Sequence, residues 1–495
     1  MTSFPKPTVD EVKAAYAKLT NIALRKHFFS KLENPHWLRP LIEIGVFVNA
    51  PEPLREGHMV RFLDWPELNY VSRVANDAPD EACAVISKIF TDNYFIQRTA
   101  LEIAQMLPAN LAALFVNGAL LKWYKGDEKI LSFTSEEIAK LSKKLAAAKE
   151  EAGIEIVDKL IFSFFVDKSQ SFEQIKPRIY EDWHFEQAVK IFDSEMTRAF
   201  GEKYFKILCY KLKYFLALET GKDGMRSVFW RHAIEDHEQD EYGDGVKNIL
   251  VGSIRDSALT GIRNRAFDPF PILTKLAPTI FHRLELYLSG ETGAYSEIFL
   301  EKLLNSPDFF WDMEYHREIF HFLKHRFASF DANKKTQILE VIFRGPPDGK
   351  YIEGEKSRKY AALEEHLFEK YKQDFEKLPK GEHPDFHIYS EGVWSGPSSP
   401  IETVKIEEMS VKDIVSFISE WKPTKGWRES SPRGLGREIE SDVKKQPAKY
   451  LYELTRFQLE LPTYVSHVFS GVRLLKIRIW MKKHGTISYA FVSGS

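Results

Sequence analysis

Apolar residues recur along this chain with the pitch of short helices. In PDEACAVISKIF, residues 79–90, Ala82, Val85, Ile86 and Ile89 fall at i, i+3, i+4 and i+7 and make one continuous face. The next stretch, NYFIQRTALEIAQML, repeats the spacing at Phe95, Thr99, Ile103 and Met106. PANLAALFVNGALLKWY then places Pro108 near a helix start, where its missing N–H costs nothing. Strand signals need period-two alternation, β-branched runs and Asn-Gly or Asp-Gly turns; they are few here, and none is paired. The predicted helices run about 10–16 residues each, carry apolar positions on more than one side and are joined by tight Pro, Asn, Asp or Gly connections. Such helices must be sandwiched between neighbours. The pattern therefore predicts an all-α fold, an irregular HEAT- or armadillo-like α-solenoid. No unit of about 34 or 40 residues recurs with fixed letters, which disfavours regular tetratricopeptide or ankyrin arrays.

Shifts in composition suggest four divisions. Residues 1–130 form a first helical block and 131–349 a second, entered through TSEEIAKLSKKLAAAKEEAG, where Ser135, Glu136 and Glu137 supply the acidic first turn of a helix. From 350 to 408 the chain is polar and then rich in Pro, Gly and Ser (HPDFHIYSEGVWSGPSSPIE), which predicts a connector. A last helical block, 409–495, begins at MSVKDIVSFISEW, and its tail MKKHGTISYAFVSGS loses the helical period.

Composition narrows the function classes. A net charge of −2 gives no global basic field for nucleic acid, while 37 Phe and 20 Tyr call for many packing layers or grooves. The two cysteines, Cys83 and Cys209, are far apart and lack metal-ligand spacing, so a reduced cytoplasm is the expected setting. The first residues, MTSFPKPTVDEVKAAY, hold charges where a signal peptide needs an apolar run. No stretch long enough for a membrane span is free of charge.

The densest polar cluster is WRHAIEDHEQDEYGDG, residues 230–245. His232 and His237 are five apart, so on a helix they diverge by about 140° and cannot share an ion. His232 with Asp236 has i, i+4 spacing but is a weak metal signal. The carboxylates Glu235, Asp236, Glu238, Asp240, Glu241 and Asp244 precede the helix GVKNILVGSIRDSALTGI, which points to capping and solvation and, second, to a partner surface. In SSPRGLGREIESDV, Ser431 and Pro432 read as N-cap and first helical residue rather than as a phosphate loop. Cations gather at Arg255, Arg263 and Arg265, and again at Arg473, Lys476, Arg478, Lys482, Lys483 and His484; solvated helix faces explain such rows, with phosphodiester binding as the alternative. His316, His321 and His325 lie among Phe309, Phe310, Trp311, Phe320, Phe322 and Phe327. His321 and His325 are one turn apart, and with no third ligand at helical spacing the segment reads as core. No nucleophile elbow, Cys-His pair, Walker A motif or dinucleotide fingerprint occurs, so no catalytic residue, metal or cofactor is expected.

Several stretches, taken in order, resemble a family of large, mostly uncharacterised bacterial helical-repeat proteins. They are NPHWLRPLIEIGVF with WPELNYVSRVA, FWRHAIEDHEQD with SIRDSAL, EYHREIFHFLKHRF closing at RGPP, then HPDFHIYSEGVWSGPSSPI, SFISEWKP, SSPRGLGREIESDVKKQPAKY and LPTYVSHVFSGV. The resemblance spans roughly residues 30–472. It implies a HEAT-like scaffold in antiphage-defence settings, where helical arrays serve as sensor or docking parts beside nucleases or nucleotidases, and it carries over no catalytic residue. Two departures stand out. The connector between RGPP and HPDF is short for the family, and similar chains continue with more helices after PTYVSHVFSGV, as expected of a truncated or compact member.

The sequence thus leads to a cytoplasmic binding protein whose partner is another protein, such as a nuclease or NTPase defence effector. The expected contact residues are Arg231, Glu235, Asp236, His237, Glu238, Asp240 and Trp394. The alternative is a nucleic-acid-binding component using Arg255, Arg263, Arg265, Arg473, Lys476 and Arg478. A third reading is a divalent-metal hydrolase at His232 and Asp236.

Overall fold

The computed structural model describes residues 4–57, 59–124, 134–167, 174–178, 182–220, 226–237, 239, 245–347, 352–381, 383–386, 399–401, 403–422, 430–457 and 462–473. The chain divides into two compact units, Met1–His387 and Ile388–Ser495. Helices dominate both, in agreement with the all-α expectation. Among the described residues two short antiparallel strand pairs, Leu54–Glu56 with Met59–Arg61 and Phe164–Asp167 with Gln174–Pro177, are ones that periodicity did not reveal. Each strand is only three or four residues long, too short to display an alternation.

Helix starts follow local chemistry. Thr8 and Ser410 make reciprocal capping boxes with Glu11 and Asp413, while Asn21, Asn93, Asp331 and Ser431 each accept an N–H from the first turn they precede. Ser431 and Pro432 are N-cap and first helical residue, as their order predicts. The face predicted for residues 79–90 is buried at all four positions. In the Tyr94–Met106 helix the buried face is offset from the expected one: Ile96, Ala100, Ile103 and Leu107 are inside, whereas Phe95 stands half exposed and Thr99 turns its hydroxyl back to the Phe95 carbonyl. Small alanines on the inner side yielded that face to sequence reading, which follows bulk.

In the first unit, successive helices up to Asp182–Phe200 alternate between two rows, of which one continues further. One row runs Ile22–Lys31, Pro66–Val74, Tyr94–Met106, Ser135–Ala147, Asp182–Phe200, Val246–Arg263, Thr279–Thr292 and His316–Arg326, each packing on the next. The second runs Val9–Ala17, Leu38–Glu43, Pro79–Ile86, Ala109–Phe115 and Glu151–Ile156 in the same fashion. A single apolar core extends along them from Val12 to Phe375.

That core reaches into the stretch read as a connector. Ile352–Ala361 and Glu369–Glu376 are helices, and Tyr360, Tyr371 and Phe375 are buried. The misreading has a physical cause: Lys356, Arg358 and Lys359 are buried as well, which polarity alone cannot foretell. Lys356 pairs with Asp374 at 2.8 Å, and Arg358 with Glu355 at 3.2 Å. The Lys359 ammonium has no hydrogen-bond partner and lies 5.5 Å over the Phe310 ring. Burial pushes it down to about 7, aided by Arg358 and opposed by Glu355 and Glu318.

The strongest polar anchor is Arg283, wholly buried against Glu318. Its Nε and Nη2 donate to the two carboxylate oxygens, both at 2.9 Å. Nη1 reaches Ser227 Oγ at 3.1 Å and the Arg231 carbonyl at 2.7 Å, and Nη2 also reaches the His232 carbonyl at 2.8 Å. All five N–H donors of the guanidinium are answered.

The second unit packs Thr403–Glu408, Val411–Glu420, Pro432–Lys445, Pro447–Leu451 and Pro462–Arg473 around Ile414, Ile418, Leu435, Ile439, Val443, Tyr464 and Val468. Gly436 lets two helices meet, since a Cβ there would come within 2.3 Å of the His467 ring. Buried Asp442 takes hydrogen bonds from Lys449, Tyr450 and Gln446.

Two predictions follow from the buried charges. Arg283→Met leaves Glu318 without its partner in the core, and urea unfolding should show a loss of roughly 3–5 kcal/mol, with Arg283→Met/Glu318→Leu recovering a part of it. Lys359 binds a proton more weakly when folded, so its contribution to stability rises with pH from about 7 towards the ordinary lysine value of 10.5, and is least favourable below that window. Lys359→Met is therefore expected to be more stable than the wild type at neutral pH. Urea midpoints should show that advantage shrinking by up to about 1.4 kcal/mol per pH unit on the alkaline side.

Candidate functional site

Over residues 230–237 the polar stretch that opens at Trp230 is not a helix. After one tight turn, Ser227–Phe229, the backbone runs without regular structure to His237, and buried charges hold it. Glu314 accepts from Ser227 and from the Val228 N–H, Arg283 takes the carbonyls of Arg231 and His232, and the Ile234 N–H donates to Glu318 at 3.2 Å. The Arg231 guanidinium folds back onto the carbonyls of Ala233 and Ile234 at 2.6 and 3.0 Å.

Side chains further along the stretch are tied down in turn. Arg255 donates to Asp236 at 2.8 Å, to the Ile234 carbonyl at 3.2 Å and to Asp256 at 2.7 Å. Burial works against its charge, but the two carboxylates more than offset this and raise its pKa above the ordinary arginine range. Arg317 bridges Glu235 and Asp385, and His237 lies 3.5 Å from Asp385 and edge-on to Phe386. Arg231, Glu235, Asp236 and His237 are thus brought together, and Arg255, expected on a nucleic-acid surface, joins them with 9% of its surface exposed. Arg263 and Arg265 remain at the surface, Arg263 within 3.9 Å of Glu291. Arg473 ends the Pro462–Arg473 helix in the second unit. Glu238, Asp240, Glu241, Asp244, Trp394, Lys476, Arg478, Lys482, Lys483 and His484 lie outside the described residues.

Beside this stretch a cleft of about 460 Å³ opens between the helices Asp182–Phe200 and Val246–Arg263. Asp182, Glu186 and Asp193 line one wall, Asp256 the other, and Asp236 comes from the pinned stretch; Lys190 and Arg231 are the cations among the lining groups. Burial pushes the Asp193 carboxyl up, while hydrogen bonds from Tyr204, at 2.5 Å, and Ser253 draw it back. Trp183 lines the cleft with 60% of its surface exposed. Sequence reading missed this wall. Its signal was present, because residues 182, 186 and 193 share one helical face and make a carboxylate stripe on an otherwise amphipathic helix.

A second constellation joins the helices Thr279–Thr292 and His316–Arg326. His321 Nε2 meets Glu291 Oε1 at 2.8 Å, and the His321 ring packs between those of Tyr287 and His325. Burial lowers the His321 pKa to about 4, with the neighbouring His325 in the same direction, so the ring is neutral at ordinary pH. One ligating atom from each of Glu291, His321 and His325 lies within 4.8 Å of the other two. The third ligand that helical spacing failed to supply comes from the adjacent helix, thirty positions earlier. Among the described residues this is the group whose donors converge closely enough for an ion, and His232 with Asp236 does not belong to it.

No protein-family model, curated protein or solved structure matches this chain. The likeness to bacterial helical-repeat proteins therefore enters only as a proposal.

Proposed function

We propose that the chain is an irregular HEAT- or armadillo-like α-solenoid that acts as a non-enzymatic scaffold or sensor and binds a protein partner. The two alternating rows of helices support the architecture, because each helix meets its neighbours along a row, as stacked repeats do. The observation that carries the binding role is the acid-lined cleft with Trp183 in its wall. Five carboxylates line it against Lys190, Arg231 and the Arg255 that engages Asp236 and Asp256, an acidic surplus that suits a basic segment of the partner, and an exposed tryptophan is the residue type that most often anchors such contacts. The proposed partner, on that resemblance, is a nuclease or NTPase effector of an antiphage defence system in the bacterial cytoplasm. Two unpaired, buried cysteines fit a reducing compartment. Among the described residues no helix is long and apolar enough to cross a membrane.

The nucleic-acid alternative draws on fewer groups, since Arg255 is engaged by Asp236 and Asp256 and leaves Arg263 and Arg265 on that face. Anisotropy titration of a labelled oligo-arginine peptide, with oligo-glutamate as control, tests the main reading. Trp183→Ala and Glu186→Lys should each weaken binding by about ten-fold or more. Equal affinity in the wild type and both variants would sink it. Steeply salt-dependent binding of a DNA duplex, lost in Arg263→Ser/Arg265→Ser, would favour the alternative.

A further inference from the structure

We infer that Glu291, His321 and His325 form a binding site for a divalent transition-metal ion of the zinc class. Two imidazoles one helical turn apart and a carboxylate from the facing helix are a ligand set that zinc accepts and that magnesium and calcium, which prefer oxygen, do not. Ligand atoms around a tetrahedral zinc sit roughly 3.3 Å apart. The three here lie within 4.8 Å of one another, and the exposed His325 side chain is the one with room to adjust.

The surroundings orient each ligand. His325 Nδ1 faces the His321 carbonyl at 2.9 Å and must carry the proton, which leaves Nε2 with its lone pair outward. His321 is 6% exposed, and its Nδ1 has no hydrogen-bond partner, so its polar commitments are to the carboxylates facing Nε2. Arg326 donates to the carbonyls of Gly290 and Glu291 at 2.6 and 2.9 Å and so fixes the helix end that bears the carboxylate. Gly290 is required for this approach, since a Cβ there would stand 2.7 Å from His321 Nδ1.

A further carboxylate lies close by, outside the converging set: Glu235 Oε2 is 3.6 Å from His321 Nε2, while its other oxygen is held by Arg317. Glu291 is divided in the same way, with Oε1 toward His321 and Oε2 toward Arg263. Glu291 thus keeps Oε1 for the ion. Such an ion ties two segments together, the end of the Thr279–Thr292 helix and the His316–Arg326 helix. The metal site does not depend on the partner reading.

The test uses the full chain, stripped with a chelator and desalted. Calorimetry with Zn²⁺ should show one equivalent bound, and Co²⁺ should give the visible bands of a tetrahedral complex that Zn²⁺ then bleaches, while Mg²⁺ does neither. His325→Asn, at an exposed position, and Glu291→Gln should each weaken Zn²⁺ binding by at least about ten-fold and remove the Co²⁺ bands. Circular dichroism establishes that both variants are folded. Failure of the wild type to take up an equivalent at micromolar Zn²⁺ overturns the proposal. So does undiminished binding by folded His325→Asn, which would put the ion elsewhere in the chain.

Discussion

A guanidinium removed wholly from water is tolerable only if every N–H finds an acceptor, and much of the first unit follows from meeting that demand at Arg283. Glu318 supplies two acceptors from a facing helix. The other three come from Ser227 and from the carbonyls of Arg231 and His232, so a segment without regular structure is drawn into the core by its backbone. Glu318 in turn accepts the Ile234 N–H, and Glu314 holds Ser227. One buried pair therefore fixes two helices and the irregular stretch between them.

The cleft and the histidine cluster both descend from that arrangement. Once Arg231 to Ile234 are fixed, Glu235 and Asp236 leave the same short backbone towards different neighbours. Glu235 meets Arg317 beside His321; Asp236 meets Arg255 at the edge of the cleft. Two neighbouring charges of one acidic run are thus sent to two different places by the backbone that carries them.

How much of this was legible depends on the range of the signal. Helix starts are written locally, and Ser431, Ser135 and the Val246–Arg263 helix fall where the letters place them. Which side of a helix is buried is less local, as Phe95 shows: a large apolar residue marks the inner face only if its neighbours leave room. Buried charge is the least legible of all. Arg283, Glu318, Lys356 and Lys359 carry charged side chains, yet lie inside because partners distant in sequence, or in the case of Lys359 aromatic packing and a depressed pKa, make it tolerable. The same distance hid Glu291 from His321 and His325, and hid the cleft, whose walls come from three separate segments.

The proposed stacking has a consequence for descent. In a stacked array a helix that touches chiefly its immediate neighbours answers to them alone, so a pair can be gained or lost while the remainder keeps its register. Kinship among such arrays is better sought in the order of stacking partners than in the residues themselves.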